Sequence, residues 1–306
     1  MTGLITEKIV MLFLLLLVGV LCRKTGIINA ETVGKLSDLL LLVVTPMVIF
    51  DSYQRPFRPE LARNLLIALG LSAAVVALQI VAARLLLAGK GADRAVERLC
   101  TVYGNCSFIG IPLMQGLYGS EGVFYLTAYL TVFNLFLWTH GVVEMTGRAD
   151  LRSTLRNLRS PAVIGIVLGL ICFLLGISLP LPVGEAVASV GSMNTPLAML
   201  VAGAVLAEAN LKGAAGRLRA YLVCAAKLLI SPALALAVLA LLRPEPVVAG
   251  MVLLASACPV ATSCTMFQVK YQNRGELASE LFAMSTLLSA VTVPLIMLLG
   301  GRLGIV

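Results

Sequence analysis

The sequence predicts an all-α membrane protein of ten transmembrane helices, arranged as two inverted five-helix repeats with the fourth and ninth helices broken. Three observations carry this prediction. Apolar residues make up 59% of the 306 positions and charged residues only 12%, more apolar surface than a water-soluble domain can bury. Apolar runs long enough to cross a bilayer recur at nearly even spacing from one end of the chain to the other. The basic residues between the runs fall almost wholly on alternate connections.

The first run, 4–22, is followed by Arg23 and Lys24 and lacks a small-residue cleavage site, so it reads as a span and not as a removable leader. The second, 33–53, holds Thr45-Pro46 and has Asp51 near its outer end. After a third at 62–89, the fourth, 95–117, is interrupted by Gly110-Ile111-Pro112, and a fifth follows at 122–146. The longest polar stretch, 147–159, is strongly basic and separates this half from the next. Runs at 160–178, 185–207 and 216–242 come next; the seventh contains Thr195-Pro196, matching the Thr45-Pro46 of the second. The ninth, 247–269, is interrupted at Cys258-Pro259, and the tenth covers 277–299.

With ten spans, the odd-numbered connections carry fifteen lysines and arginines, whereas the even ones carry only Arg55, Arg58, Arg63 and Arg243. The positive-inside rule therefore expects a multi-pass protein of the cell membrane, a bacterial inner membrane, with both termini on the extracytoplasmic side. Residues 1–146 and 160–306 form two five-span units joined by the linker 147–159. Because five is odd, the two units have opposite orientations, the arrangement of an inverted repeat. The net charge of +8 is explained by these connections, with no basic, aromatic-interleaved stripe for nucleic acid. The seven cysteines are odd in number and lie mostly in apolar runs, as small buried residues and not a disulfide framework.

A proline inside a helix removes a backbone donor and crowds the preceding turn. Paired interruptions in matching spans of inverted halves point to a substrate site, because backbone freed at mid-depth must be buried or line a polar cavity. Small neutral polar residues flank both interruptions: Tyr103, Gly104, Asn105, Cys106 and Ser107 in one, Ser256, Cys258, Thr262, Ser263 and Cys264 in the other. Half-helix N-termini there would favour an anion such as a carboxylate. Asn105 is the foremost candidate, since a mid-membrane amide is costly without partners.

Few ionisable residues lie deep. Lys227 sits in the middle of the eighth span, placed either to attract an anionic substrate or to snorkel along a helix. Asp51 is a candidate proton carrier or an interfacial residue, and Asp38 and Arg84 lie near cytoplasmic ends. His140 and Glu144 share a helix face four residues apart, too few ligands for zinc, though His140 could take a proton near the cytoplasmic mouth.

The segment Tyr103-Gly104-Asn105-Cys106-Ser107-Phe108-Ile109-Gly110-Ile111-Pro112 resembles the glycine-asparagine to glycine-x-proline crossover of auxin efflux carrier family transporters. Ala257-Cys258-Pro259-Val260-Ala261 and Asn194-Thr195-Pro196 extend the resemblance across the chain. The short central linker is similar to compact bacterial members, some associated with malate or malonate, and not to the long plant auxin exporters. The resemblance implies that the broken fourth and ninth helices cross, with scaffold and transport domains each drawn from both repeats. It also implies elevator-type alternating access and a homodimer. Residue by residue, it implies a substrate-carboxylate site at Asn105, a crossover at Pro112 and Pro259, and Asn194 as a neighbour. With Gly104, Ser107, Cys258 and Thr262 these complete the expected substrate-binding set.

The expected function is secondary transport of a small organic anion, with that anion and membrane lipid as partners and no cofactor or bound metal. Coupling to Na+ or H+ stays open: Ser192, Thr195, Ser256 and Thr262 could assemble a sodium site, and the family's distant resemblance to bile-acid sodium symporters keeps sodium-coupled symport as an alternative. An anion channel or a sensor is the other. Enzyme chemistry lacks its parts, with one histidine, no H-E-x-x-H motif and no facing pair of acids in span centres.

Overall fold

A computed structural model describes residues 2–89, 91–148, 160–208, 216–272 and 276–306. Most of the basic connection 147–159, together with Lys90, Lys212 and Arg274, lies outside the described residues. The described chain is helical throughout, with one isolated antiparallel bridge. Its helices are α1 (Thr2–Lys24), α2 (Ala30–Ser52), α3 (Pro59–Leu86), α4 (Ala92–Val102), α5 (Cys106–Thr146), α6 (Pro161–Leu175), α7 (Leu181–Glu208), α8 (Leu218–Leu242), α9 (Pro246–Ala257), α10 (Thr262–Gln272) and α11 (Glu276–Arg302). Among the described residues, α2, α3, α5, α7, α8 and α11 are six helical stretches long and apolar enough to cross a membrane.

α5 is 41 residues long, roughly 60 Å at 1.5 Å per residue and about twice a bilayer core. It divides at Gly119, whose φ of 61° and ψ of −152° lie in a region that glycine alone enters readily. The outer faces of the helices expose large apolar side chains, Leu14, Leu66, Leu85, Leu168, Leu241 and Val291 among them. Such a surface suits lipid.

The helices pack as two groups. In one, α1 runs along the Asn194–Glu208 half of α7, while α6 and the Leu181–Ser192 half of α7 pack on Thr45–Ser52 of α2. Two contacts there are backbone-close: a Cβ on Gly19 would overlap the Leu200 carbonyl, and one on Gly203 the Leu16 carbonyl. Small residues at membrane helix contacts allow this approach. Arg23 and Glu208 pair at the end of the same contact. In the second group, α9 packs on α5, α8 and α11, with α3 on α5 and α4 on α3, α8 and α11.

The chain does not leave its helix at Gly110-Ile111-Pro112, where an interruption is expected. Residues 103–105 leave the helix instead, and the chain is helical again from Cys106 through Pro112. Pro46, Pro112 and Pro232 each follow a widened π-type turn, Leu40–Val44, Cys106–Gly110 and Ala226–Ile230. Widening makes room for the carbonyl four residues before each proline, so the helix loosens and continues. The break at 103–105 has another cause: Asn105 is a favoured N-cap, and its Oδ1 accepts the Phe108 N–H at 3.4 Å. The second break, between α9 and α10, falls at Cys258-Pro259 as expected, Pro259 holding Cys258 at φ −57°, ψ 142°.

Candidate functional site

The two extended breaks cross. The Asn105 N–H donates to the Pro259 carbonyl at 2.7 Å, the Ala261 N–H donates to the Tyr103 carbonyl at 3.0 Å, and Gly104 faces Val260 as an antiparallel pair. Ser285 of α11 supports the crossing, its Oγ accepting the Val260 N–H at 3.0 Å. The groups freed by the breaks are thus largely satisfied by one another, as a buried backbone requires.

The crossing sorts the helix ends by polarity. α5 and α10 begin at it and present their N-terminal residues, Asn105 to Phe108 and Ala261 to Ser263, to a cavity of about 510 Å³. The opposite wall comes from the first helix group: Ser37, Leu41, Leu42 and Thr45 of α2, Ser160, Pro161 and Ala162 at the start of α6, and Val201, Ala202 and Val205 of α7. Phe133, Asn134, Leu137 and Trp138 of α5, Thr265 and Met266 of α10, and Ser279 and Phe282 of α11 complete it. The volume fits a small organic molecule. Three residues of this lining each hold one polar atom that is buried without a hydrogen-bond partner: Asn105 Nδ2, Ser160 Oγ and Ser263 Oγ.

Of the residues expected in the site, Gly104, Asn105, Ser107 and Thr262 line the cavity. Cys258 and Pro259 form the crossing strand behind it. Asn194 stands one layer back, its Oδ1 accepting a bond from the lining Thr45 at 3.3 Å, with Nδ2 unpartnered. Pro112 lies beyond the crossing, inside α5. Asp51 is six residues past Thr45 on α2, about 9 Å along the helix, and does not line the cavity. His140 is also outside the lining; its Nδ1 is 3.1 Å from the Tyr103 hydroxyl and its Nε2 3.7 Å from Glu144. Glu144 is held by Arg98 at 2.6 Å and Arg84 at 3.5 Å.

Lys227 departs most from expectation. It is fully buried on the far side of the crossing from the cavity, donating to the Val102 carbonyl at 3.2 Å. There it meets the C-terminal end of α4, where a cation is favoured. The hydroxyls considered for a sodium site divide: Ser192 and Ser256 turn back to carbonyls of their own helices at 2.7 Å, while Thr262 faces the cavity. Among the described residues, no three His, Cys, Asp or Glu side chains cluster as metal ligands, and all seven cysteines are free. Nothing in the local sequence marks Ser37, Ser160 and Ser279, which reach the cavity from α2, the start of α6 and α11. Tyr103, named with the polar residues of this segment, does not line the cavity.

These features define a multi-pass membrane transport protein, and comparison with known sequences agrees. The membrane transport protein family matches residues 4–153 and 151–297, and the chain belongs to this family, that of the auxin efflux carriers. It is similar to an uncharacterized transporter of Methanothermobacter thermautotrophicus, with 26% identity over 300 residues that cover 95% of this chain and 96% of the relative.

Proposed function

We propose that the protein is a secondary carrier of a small organic anion, working by elevator-type alternating access. The observation that carries this reading is the crossing at Asn105 and Pro259, which brings two half-helix N-termini to one cavity, with Asn105 in its lining. Each N-terminus carries about half a positive charge, so two together suit about one carboxylate. The walls beyond this end are mostly apolar, which fits an acid with a hydrocarbon body.

The ten-span reading pairs α4 with the first limb of α5 as the fourth span, and α9 with α10 as the ninth. Packing supports an inverted repeat: the first span lies on the seventh as the sixth lies on the second, which is how two five-span units would exchange contacts across a pseudo-twofold axis. The cavity lies between the two helix groups, with both breaks in one of them. Sliding that group against the other would carry the site across the membrane. The cavity reaches Ser37, Ser160 and Ser279, on the side of the basic connections, and in the positive-inside orientation this is an inward-open state.

The test is a thermal-stability screen of the purified protein against mono- and dicarboxylates, with and without sodium and at two pH values, followed by counterflow in proteoliposomes with any carboxylate that stabilises it. Saturable counterflow is the expected result. Stabilisation without counterflow would make the protein a sensor, non-saturable flux a channel, and a response to cations or neutral solutes alone would remove the anion reading.

A further inference from the structure

The crossing also has a second face. A helix that stops in mid-membrane leaves its last carbonyls without helical partners and carries about half a negative charge at that end. α4 and α9 both stop at the crossing, so their C-terminal ends together present about one negative charge on the side away from the cavity.

Lys227 stands at that point. It lies in the π-type turn Ala226–Ile230 of α8 and is fully buried. Its Nζ donates to Val102 O at 3.2 Å, and Ser231, one turn further on, donates to Thr101 O at 3.4 Å. The end of α9 closes on the same spot: a Cβ built on Gly104 would lie 3.1 Å from Lys227 Nζ, 3.2 Å from Cys258 O and 3.3 Å from Ala255 O. Among the described residues, no carboxylate forms an ion pair with Lys227. A buried ammonium with no counter-charge is costly, and here the carbonyl ends of two half-helices take that place.

We infer that Lys227 is a tethered cation of the crossing, filling with its own ammonium the place at the carbonyl ends of α4 and α9 where an alkali ion could bind, so that the crossing needs no added cation. This rests on the geometry of the crossing and not on the transport reading. Removing the side chain should leave a site that is negative, lined by carbonyls and open to a small cation.

Thermal unfolding of the full-length protein in detergent tests this, in choline chloride and with choline replaced at constant ionic strength by sodium, potassium or n-propylammonium. The three carbons and nitrogen of propylammonium match the atoms removed by Lys227→Ala. The wild type is expected to melt at the same temperature in every cation. Lys227→Ala should melt lower in choline and be raised saturably by propylammonium or an alkali ion. Lys227→Gln keeps an N–H donor without the charge; it should show the alkali-ion response and decides the question if the alanine variant does not fold. Folded variants indifferent to the cation, or a wild-type shift as large as theirs, would overturn the inference. Failure of both variants to fold in every cation would overturn it too, since a missing ion should be replaceable.

Discussion

Asn105 and Pro259, from opposite halves of the chain, are joined by a 2.7 Å hydrogen bond from the N–H of one to the carbonyl of the other. The bond commits the Asn105 backbone to the crossing, while its side-chain oxygen caps α5, its buried Nδ2 is left without a partner, and the residue lines the cavity.

Asn105→Ala should therefore weaken carboxylate binding about tenfold to a hundredfold, the range for losing a hydrogen bond to a charged group. Its stability cost should stay near 1 kcal/mol, since the lost cap is a long one. Asn105→Asp keeps the cap but turns a negative charge on the ligand, so it should bind worse than the alanine variant. Ligand titrations followed by thermal shift check the ranking, and a stronger-binding aspartate variant would mean that the ligand is not an anion.

Gly104→Ala should destabilise by about 1–3 kcal/mol, because the new methyl meets the Lys227 ammonium and two carbonyls at 3.1–3.3 Å. The comparison is Gly34→Ala in α2, where nothing lies within 4 Å and alanine is the better helix former. Melting temperatures of the two variants should move in opposite directions.

Gly203→Val should cost more than Gly104→Ala, since its side chain would overlap the Leu16 carbonyl of α1, whereas a Cβ on Gly104 meets nothing closer than 3.1 Å. The yield of monodisperse protein after detergent extraction measures it. A wild-type yield would show that α1 and α7 can separate without loss of the fold.

Glu97 is buried and takes two 2.8 Å bonds from Arg219 and one of 2.7 Å from Arg94. Glu97→Gln should lower stability by about 1–2 kcal/mol, less than for a fully buried pair, because the Arg219 side chain is 45% exposed. A double-mutant cycle with Arg219→Gln should show coupling between the two.

The membrane character, most helix limits and the ninth-span break were legible because each depends on short-range properties: apolar run length, flanking charge, and a proline acting on its predecessor. Pro112 misled for the same reason. A proline shows that a turn is disturbed, but whether the helix parts or widens depends on what receives the displaced carbonyls. At residues 103–105 the partners are Pro259 and Ala261, and no reading of the fourth span alone reveals them. Asn105 stood out through its chemistry, whereas Ser160 and Ser279 look like ordinary residues at helix starts.

By itself, the sequence determined that this is a multi-span membrane protein with a Cys-Pro break in its second half, since transfer from water to lipid acts on each segment separately and a proline acts on its own predecessor; the Gly-Asn position of the matching break came only with the structure. Only the tertiary structure decided which side of the crossing each group occupies. Lys227 could have faced the cavity or left it, and the outcome follows from the antiparallel crossing, which sends both N-terminal ends to one side and both C-terminal ends to the other. The cation then lies with the carbonyls, and Asn105 lines the cavity with the helix N-termini.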